Sequence, residues 1–234
     1  MTVDTSPSLL VKLCFVMDCT GSMEPWIQQA KTKIVELTTR IQADNPGADV
    51  LVAFVGYRDY GDVERSIVLP FQESRHVMRE IRGVFAEGGD DVAEDVAHGL
   101  MEAHHMDWTG ADIRFVIHIA DAPAHGLQFH SPTVSDRYPR GDPDGLDPRD
   151  FVERMSFLNV NFTFVKINNS TDTMIEQFHN CYGHGGEFSV IDLRPQNYDR
   201  SLGDPQEHVS ELLSSALSRE VTLSIHRHTA SQEQ

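Results

Sequence analysis

The chemistry-bearing residues of this chain begin with Asp18-Cys19-Thr20-Gly21-Ser22, which ends an apolar run from Leu9 to Met17 broken only by Lys12. One carboxylate and two hydroxyls at alternate positions put hard oxygen donors on a single turn. Such a set suits Mg²⁺, Mn²⁺ or Ca²⁺ better than zinc. The same residues also suit a simpler task, with Asp18 capping the following helix and Thr20 and Ser22 satisfying loop amides. Residue types alone leave both readings open.

A second apolar run, Ile113 to Ala120, also ends in an aspartate, Asp121. Between the two runs lies Glu87-Gly88-Gly89-Asp90-Asp91, where Asp91-x-x-Glu94 has the form of a capping box. Asp90 is then open to two roles, metal ligand or helix cap. Asp59 and Asp62 read as turn residues with a minor claim to supporting the site. His125, four residues after Asp121, reads as a hydrogen-bonded strut or as a residue lining the site. His104-His105 and His226-x-His228 lack companion ligands. Arg140-Gly141-Asp142 lies within Tyr-Pro-Arg-Gly-Asp-Pro-Asp-Gly, a composition of consecutive turns, and reads as a chance tripeptide.

The elements that must position these residues alternate along the chain. Ile27, Ala30, Ile34, Leu37 and Ile41 mark one face of a helix beginning near Pro25. Val50 to Tyr57 reads as a strand and Ser66 to Leu69 as its antiparallel edge partner. Arg75 to Phe85 suits a short helix. A longer helix opens at Asp91, with Val92, Val96, Leu100 and Ala103 inward. Ile113 to Ala120 has the continuous apolarity of a parallel strand covered on both faces. A long loop, 122–146, follows, and loops of that length are often functional. Asp147-Pro148 starts a helix with Phe151, Val152, Met155 and Leu158 inward. Then come a strand from Val160 to Ile167, a helix from Thr171 to Cys181 and a strand from Phe188 to Ile191. A last amphipathic helix carries Val209, Leu212, Leu213, Ala216 and Leu217, and a further strand is expected over Val221 to Ile225. The expected class is α/β, doubly wound, with a mostly parallel central sheet and helices on both faces. The expected division is a disordered N-terminus at 1–8, one domain at 9–219 and a C-terminal tail at 220–234.

Among 234 residues, 36 are acidic and 19 basic, for a formal charge of −17. That balance disfavours nucleic acid and anionic membranes and favours cations or basic protein surfaces. Three cysteines, two of them (Cys14 and Cys19) in the first strand and its loop, do not look like a disulfide framework. With no apolar stretch of membrane-spanning length and no signal-peptide layout, the expected location is cytoplasmic, in a reduced compartment.

With Asp18-x-Thr20-x-Ser22, the Gly-Gly-Asp90 loop and Asp121 on successive strand-end loops, the chain resembles a von Willebrand factor type A (vWA) domain over roughly 9–217. Phe54-Val55-Gly56-Tyr57-Arg58-Asp59-Tyr60, Ala120-Asp121-Ala122-Pro123 with His125-Gly126, and Tyr138-Pro139 with Gly141-Asp142-Pro143 resemble the subgroup attached to atypical α-kinases. The resemblance implies a Rossmann-like fold with a metal-ion-dependent adhesion site (MIDAS) at the carboxyl edge of the sheet. It places metal-facing oxygens on Asp18, Thr20, Ser22 and Asp121. Where many members carry a threonine after a glycine pair, this chain has Asp90. The ion implied is Mg²⁺ first, with Mn²⁺ or Ca²⁺ as alternatives.

Three function classes follow: a metal-dependent protein-binding module without turnover, an accessory domain that positions an α-kinase, and a metal-dependent phosphatase using Asp18 as nucleophile. The phosphatase needs an acid two residues after its nucleophile, and Thr20 stands there. The binding module, with a protein partner, is the expected function.

Overall fold

The computed structural model describes residues 9–193 and 205–232. The stretch 1–8 expected to be disordered lies outside the described residues. The elements are β1 (Leu9–Asp18), α1 (Glu24–Asp44), β2 (Ala48–Tyr57), β3 (Ser66–Gln72), α2 (Ser74–Ile81), α3 (Val96–His104), β4 (Ile113–Ala120), α4 (Pro148–Phe157), β5 (Val160–Lys166), α5 (Asp172–Cys181), β6 (Phe188–Asp192) and α6 (Pro205–Gln232). The strands form one sheet in the order β3-β2-β1-β4-β5-β6. Every neighbouring pair is parallel except β2 with β3.

This is the doubly wound α/β class the alternating pattern implies. β1 sits near the centre and alternates its side chains between two cores. Leu13, Phe15 and Met17 pack with Ile34, Leu37 and Ile41 of α1, Val77 of α2, and Leu217 and Val221 of α6. Cys14 and Val16 face the opposite way, toward Val96 and Leu100 of α3, Val152 and Met155 of α4, and Phe178 of α5. Burial on both faces explains the unbroken apolarity of β1 and β4. β3 is the antiparallel edge, where Pro70 is tolerated because an edge strand has N–H positions outside the ladder.

Three elements depart from the pattern. The helix expected from Asp91 starts at Val96, and its N-cap is Asp95, whose Oδ1 accepts the His98 N–H at 3.2 Å. Val92 is therefore exposed rather than inward. Leu158 follows the last turn of α4 and is also exposed. The strand expected over Val221 to Ile225 is instead part of α6, with Val221 and Ile225 buried at helical spacing. The β-branched residues of this stretch favour a strand, but a four-residue apolar spacing against α1 overrides that propensity.

The packing of α3 on the sheet leaves no space at Gly99. A Cβ there would lie 2.5 Å from a ring carbon of Tyr57, which is fully buried. Gly99→Ala gains roughly 1 kcal/mol of helix propensity but must push α3 off β2, at about 1–3 kcal/mol. We expect a lower urea midpoint at unchanged slope. A midpoint equal to or above the parent's would show that α3 has slack.

Candidate metal centre

Parallel strands bring their carboxyl ends to one edge, and β2, β1 and β4 are adjacent there. The pairing of Asp18 with Tyr57 and of Met17 with Ile119 sets the ends of these strands side by side, with the loop between α2 and α3 as the second of three loops at this edge, between those after β1 and β4. Backbone hydrogen bonds then lock them together. The Gly21 N–H donates to Gly88 O at 3.2 Å and the Glu87 N–H to Cys19 O at 3.0 Å. The Glu94 N–H donates to Pro123 O at 2.9 Å, tying the second loop to the third.

Asp18 is fully buried. Its Oδ1 accepts the Thr20 N–H at 2.9 Å and the Thr20 hydroxyl at 2.7 Å, while its Oδ2 has no hydrogen-bond partner. The Ser22 hydroxyl donates to Asp121 Oδ1 at 3.0 Å and lies 3.4 Å from the Thr20 hydroxyl. Asp121 is held from behind, its backbone carbonyl accepting from Asn168 Nδ2 at 2.8 Å and from the Ser170 hydroxyl. Asp18, Thr20, Ser22 and Asp121 are thus brought together.

Asp90 is not brought with them. Its carboxylate turns outward, mostly exposed, and pairs with Arg137 at 2.9 Å. It is not the cap of α3 either, since Asp95 has that place. The second loop instead sends in Glu94, which is buried close to Thr20 and Asp18 and has no partner for its Oε2. Gly89, at φ +80°, makes room: a Cβ there would lie 2.8 Å from Glu94 Oε1 and 3.2 Å from Thr20 Cβ. Sequence reasoning assigned Glu94 to a capping box and missed this role. The usable signal was Gly-Gly followed at short range by several acids, only one of which can cap.

Asp18, Glu94 and Asp121 converge without a base. Among the described residues no ion pair from Lys, Arg or His reaches any of them. The buried Arg58 next door is turned away, donating to Glu64 and to Phe85 O. Burial, reinforced by Asp121, pushes the Asp18 carboxyl up to about 7 against the pull of the Thr20 hydrogen bonds. Burial and the Asp18 charge push Glu94 well above the carboxylate range. Burial raises Asp121 as well, opposed by the Ser22 hydrogen bond. Buried oxygens without donors, in a set of carboxylates and hydroxyls, fit a hard divalent cation. Asp18, Thr20, Ser22, Glu94 and Asp121 are the residues that would hold it.

The other singled-out residues fall as follows. His125 is buried between Asp59 and Asp136. Asp59, read as a turn residue, is buried too. Asp142 of the Arg-Gly-Asp tripeptide is nearly buried, accepts the Asp144 N–H at 2.8 Å and faces Arg65 at 3.9 Å, so it is a turn residue and not an accessible ligand.

Comparison with known proteins agrees with this architecture. Residues 12–135 match the family described as von Willebrand factor A domain. A protein of Dictyostelium discoideum, alpha-protein kinase vwkA, is 40% identical over 172 residues, covering 72% of this chain and 27% of its own length. The chain thus spans about a quarter of that relative. Solved structures share the fold. The vWA domain of SpRpn10 is 12% identical at a TM-score of 0.56, over 88% of this chain and 94% of that one. The pilus adhesin SpaC from Lactobacillus rhamnosus GG is 13% identical at 0.57, over 91% and 31%. Proximal thread matrix protein 1 from the mussel byssus is 11% identical at 0.55, over 90% and 46%.

The raised carboxyls have a stability consequence whose sign is definite. Asp18 moves from 3.8 when unfolded to about 7 when folded, so the folded state holds the proton more tightly. Its contribution is favourable below the unfolded value and is lost as pH rises through about 7. In chelator, Asp18→Asn should melt above the parent near neutral pH, by about 1–3 kcal/mol, with the difference vanishing below roughly pH 4. A parent more stable than the variant at neutral pH in chelator would contradict this electrostatic reading.

Proposed function

Because this chain belongs to the von Willebrand factor A domain family, in its α-kinase-associated form, we propose that it is a protein-binding module whose contact surface is built on a MIDAS-type divalent cation. The observation that carries the reading is the convergence of Asp18, Glu94 and Asp121 with unpartnered buried oxygens and no neighbouring base. A cation at that point, Mg²⁺ first and Mn²⁺ or Ca²⁺ as alternatives, offsets a repulsion that no ion pair among the described residues offsets. When bound it would supply a positive Lewis-acidic centre at the loop surface, where a partner's oxygen donor completes its coordination.

The chain's own residues have distinct tasks in this scheme. Asp18 supplies the deepest carboxylate, held in orientation by the Thr20 amide and hydroxyl. Ser22 is exposed and borders the surface a partner would meet. Asp121 closes the far side and is anchored through Asn168. Glu94 adds a third carboxylate, so a doubly charged ion leaves the assembled site one charge negative. The family site with a threonine at the second loop is more electrophilic than that. Together with the overall charge of −17, this favours a partner presenting a neutral or basic surface over an acidic one. No phosphoryl chemistry is assigned, because Thr20 stands where a phosphatase acid is needed and Glu94 is directed at the same carboxylate cluster.

A second reading is favoured by the vwkA relationship: the domain regulates or positions an α-kinase, as part of one chain or as a separate partner. The two are compatible, since a regulatory domain also acts by binding. Among the described residues no helix is long and apolar enough to cross a membrane, and we place the domain's work inside the cell on the basis of its kinase relative.

Calorimetric titration with Mg²⁺ tests the site. Asp18→Ala and Asp121→Ala should each abolish binding. Glu94→Gln should weaken it by roughly tenfold or more, the effect of one charge about 4 Å away at an effective dielectric near 20 reduced by the cost of desolvation. Asp90→Asn should leave it unchanged. Parent-like affinity in Asp18→Ala would refute the site, and a loss in Asp90→Asn equal to that in Glu94→Gln would refute the choice of Glu94.

A further inference from the structure

Beside the Asp18 cluster, and sharing no residue with it, the same loops make a second constellation. We propose that Asp59, Asp91 and His125 form a separate cation site that takes a transition metal of the zinc class rather than Mg²⁺. One ligand atom from each residue lies within 4.8 Å of the other two. Asp59 follows β2, Asp91 lies in the segment before α3, and His125 lies in the loop after β4. The site is therefore assembled by the fold and not by one local turn.

The hydrogen bonding around His125 decides what faces the cluster. Its Nδ1 lies 2.8 Å from Asp136 Oδ1. Asp136 is fully engaged as an acceptor, also taking the Gly126 N–H at 2.8 Å, the Tyr138 N–H at 2.7 Å and His130 Nε2 at 2.9 Å. A carboxylate so surrounded by donors keeps the His125 proton on Nδ1, which leaves the lone pair of the neutral ring on Nε2. That nitrogen points at Asp59 Oδ1, 2.8 Å away. With both ring nitrogens against carboxylates, the ring is favoured in its charged form, and a metal ion at Nε2 would take that proton's place.

An imidazolium proton would satisfy that one contact and nothing more. Asp59 is 1% exposed, and its Oδ2 has no partner. Asp91 gives Oδ2 to the Arg137 N–H and also leaves its Oδ1 unpartnered and buried. A metal ion held by one oxygen of each carboxylate and by the nitrogen would bring positive charge to all three side chains. Tetrahedral zinc–ligand bonds of about 2.0–2.2 Å hold neighbouring donor atoms roughly 3.4 Å apart, so donors now within 4.8 Å of one another would draw together around the ion. The donor set also separates this site from its neighbour. One imidazole with two carboxylates suits Zn²⁺, while the carboxylates and hydroxyls around Asp18 suit Mg²⁺. The carboxylate behind the histidine completes the arrangement, since Asp136 fixes the tautomer and the ring plane as such partners do for metal-bound histidines.

Zn²⁺ and Mg²⁺ titrations of a Cys181→Ser background test this, that substitution removing the half-exposed thiol that would compete for zinc. Asp91→Asn and His125→Gln should each weaken Zn²⁺ by about 100-fold or more, beyond the loss typical of an outer-shell change, and leave Mg²⁺ affinity unaltered. Asp18→Ala should do the reverse, which separates failure of this proposal from failure of the Mg²⁺ site. A zinc-soaked crystal should show anomalous scattering between Asp59, Asp91 and His125. Should His125→Gln not fold, Asp91→Asn and the crystal decide. The proposal is overturned if the background protein binds no Zn²⁺ at micromolar concentration, if Asp91→Asn binds it as the background does, or if Asp18→Ala alone removes it.

Discussion

Strands covered on both faces have little room for charged side chains away from their ends, and here the end of the central strand β1 is a fully buried aspartate. Burying an ionised carboxylate without a cation costs several kcal/mol unless its oxygens find donors. Only one oxygen of Asp18 does. The rest of the carboxyl edge is arranged around that imbalance. Thr20 is drawn in to donate, Ser22 reaches across to Asp121, and Glu94 arrives as a further carboxyl instead of a base. An edge that served only to hold the loops together would pair these acids with the arginines nearby. Arg58 and Arg65 are present and are used elsewhere, Arg58 on Glu64 and Arg65 on Asp95.

The scaffold that tolerates this is stiff. The three loops are joined by main-chain hydrogen bonds, so the acids cannot relieve their repulsion by drifting apart. Helix α3 rests directly on Tyr57 through Gly99, and Tyr57 in turn bonds His118 Nε2 at 2.9 Å inside the core. Burial alone pushes the His118 ring down to about 3, so it stays neutral and adds no charge beneath the site. The acids therefore face one another across a polar edge backed by an uncharged core, the condition in which a bound cation contributes most.

Most of this architecture was legible in the sequence because its signals are long and redundant. β1 and β4 are each unbroken apolar runs ending in aspartate, and α1 carries five apolar positions at helical spacing behind a proline. Asp18, Thr20, Ser22 and Asp121 could be singled out because each lies at or just beyond such a run. Glu94, Asp59 and Asp91 could not, for a physical reason. Their roles depend on which loop residue turns inward, and that is set by contacts with β3, the 122–146 loop and Arg137, all distant in sequence. His125 was visible as a candidate, but its two carboxylate neighbours come from positions 59 and 136, which no local pattern connects.

The segment before α3 shows how a small shift in a helix start redistributes function. A helix beginning at Asp91 would have made Asp91 and Glu94 cap partners and sent Val92 into the core. The helix begins at Val96 instead, because Asp95 caps it while its other oxygen takes Arg65 from the edge strand. Residues 90–94 are then left as non-helical chain pinned at Ser135 and Pro123. Four neighbouring acids face four environments as a result. Asp90 meets Arg137 at the surface, Asp91 lies beside His125, Glu94 enters the Asp18 cluster and Asp95 closes the helix. One cap, chosen by a long-range ion pair, thus supplies an acid to each of the adjacent constellations. Arg65, which pairs with Asp95, Asp142 and Asp144 and with none of the proposed ligands, therefore bears on both through the point at which α3 begins.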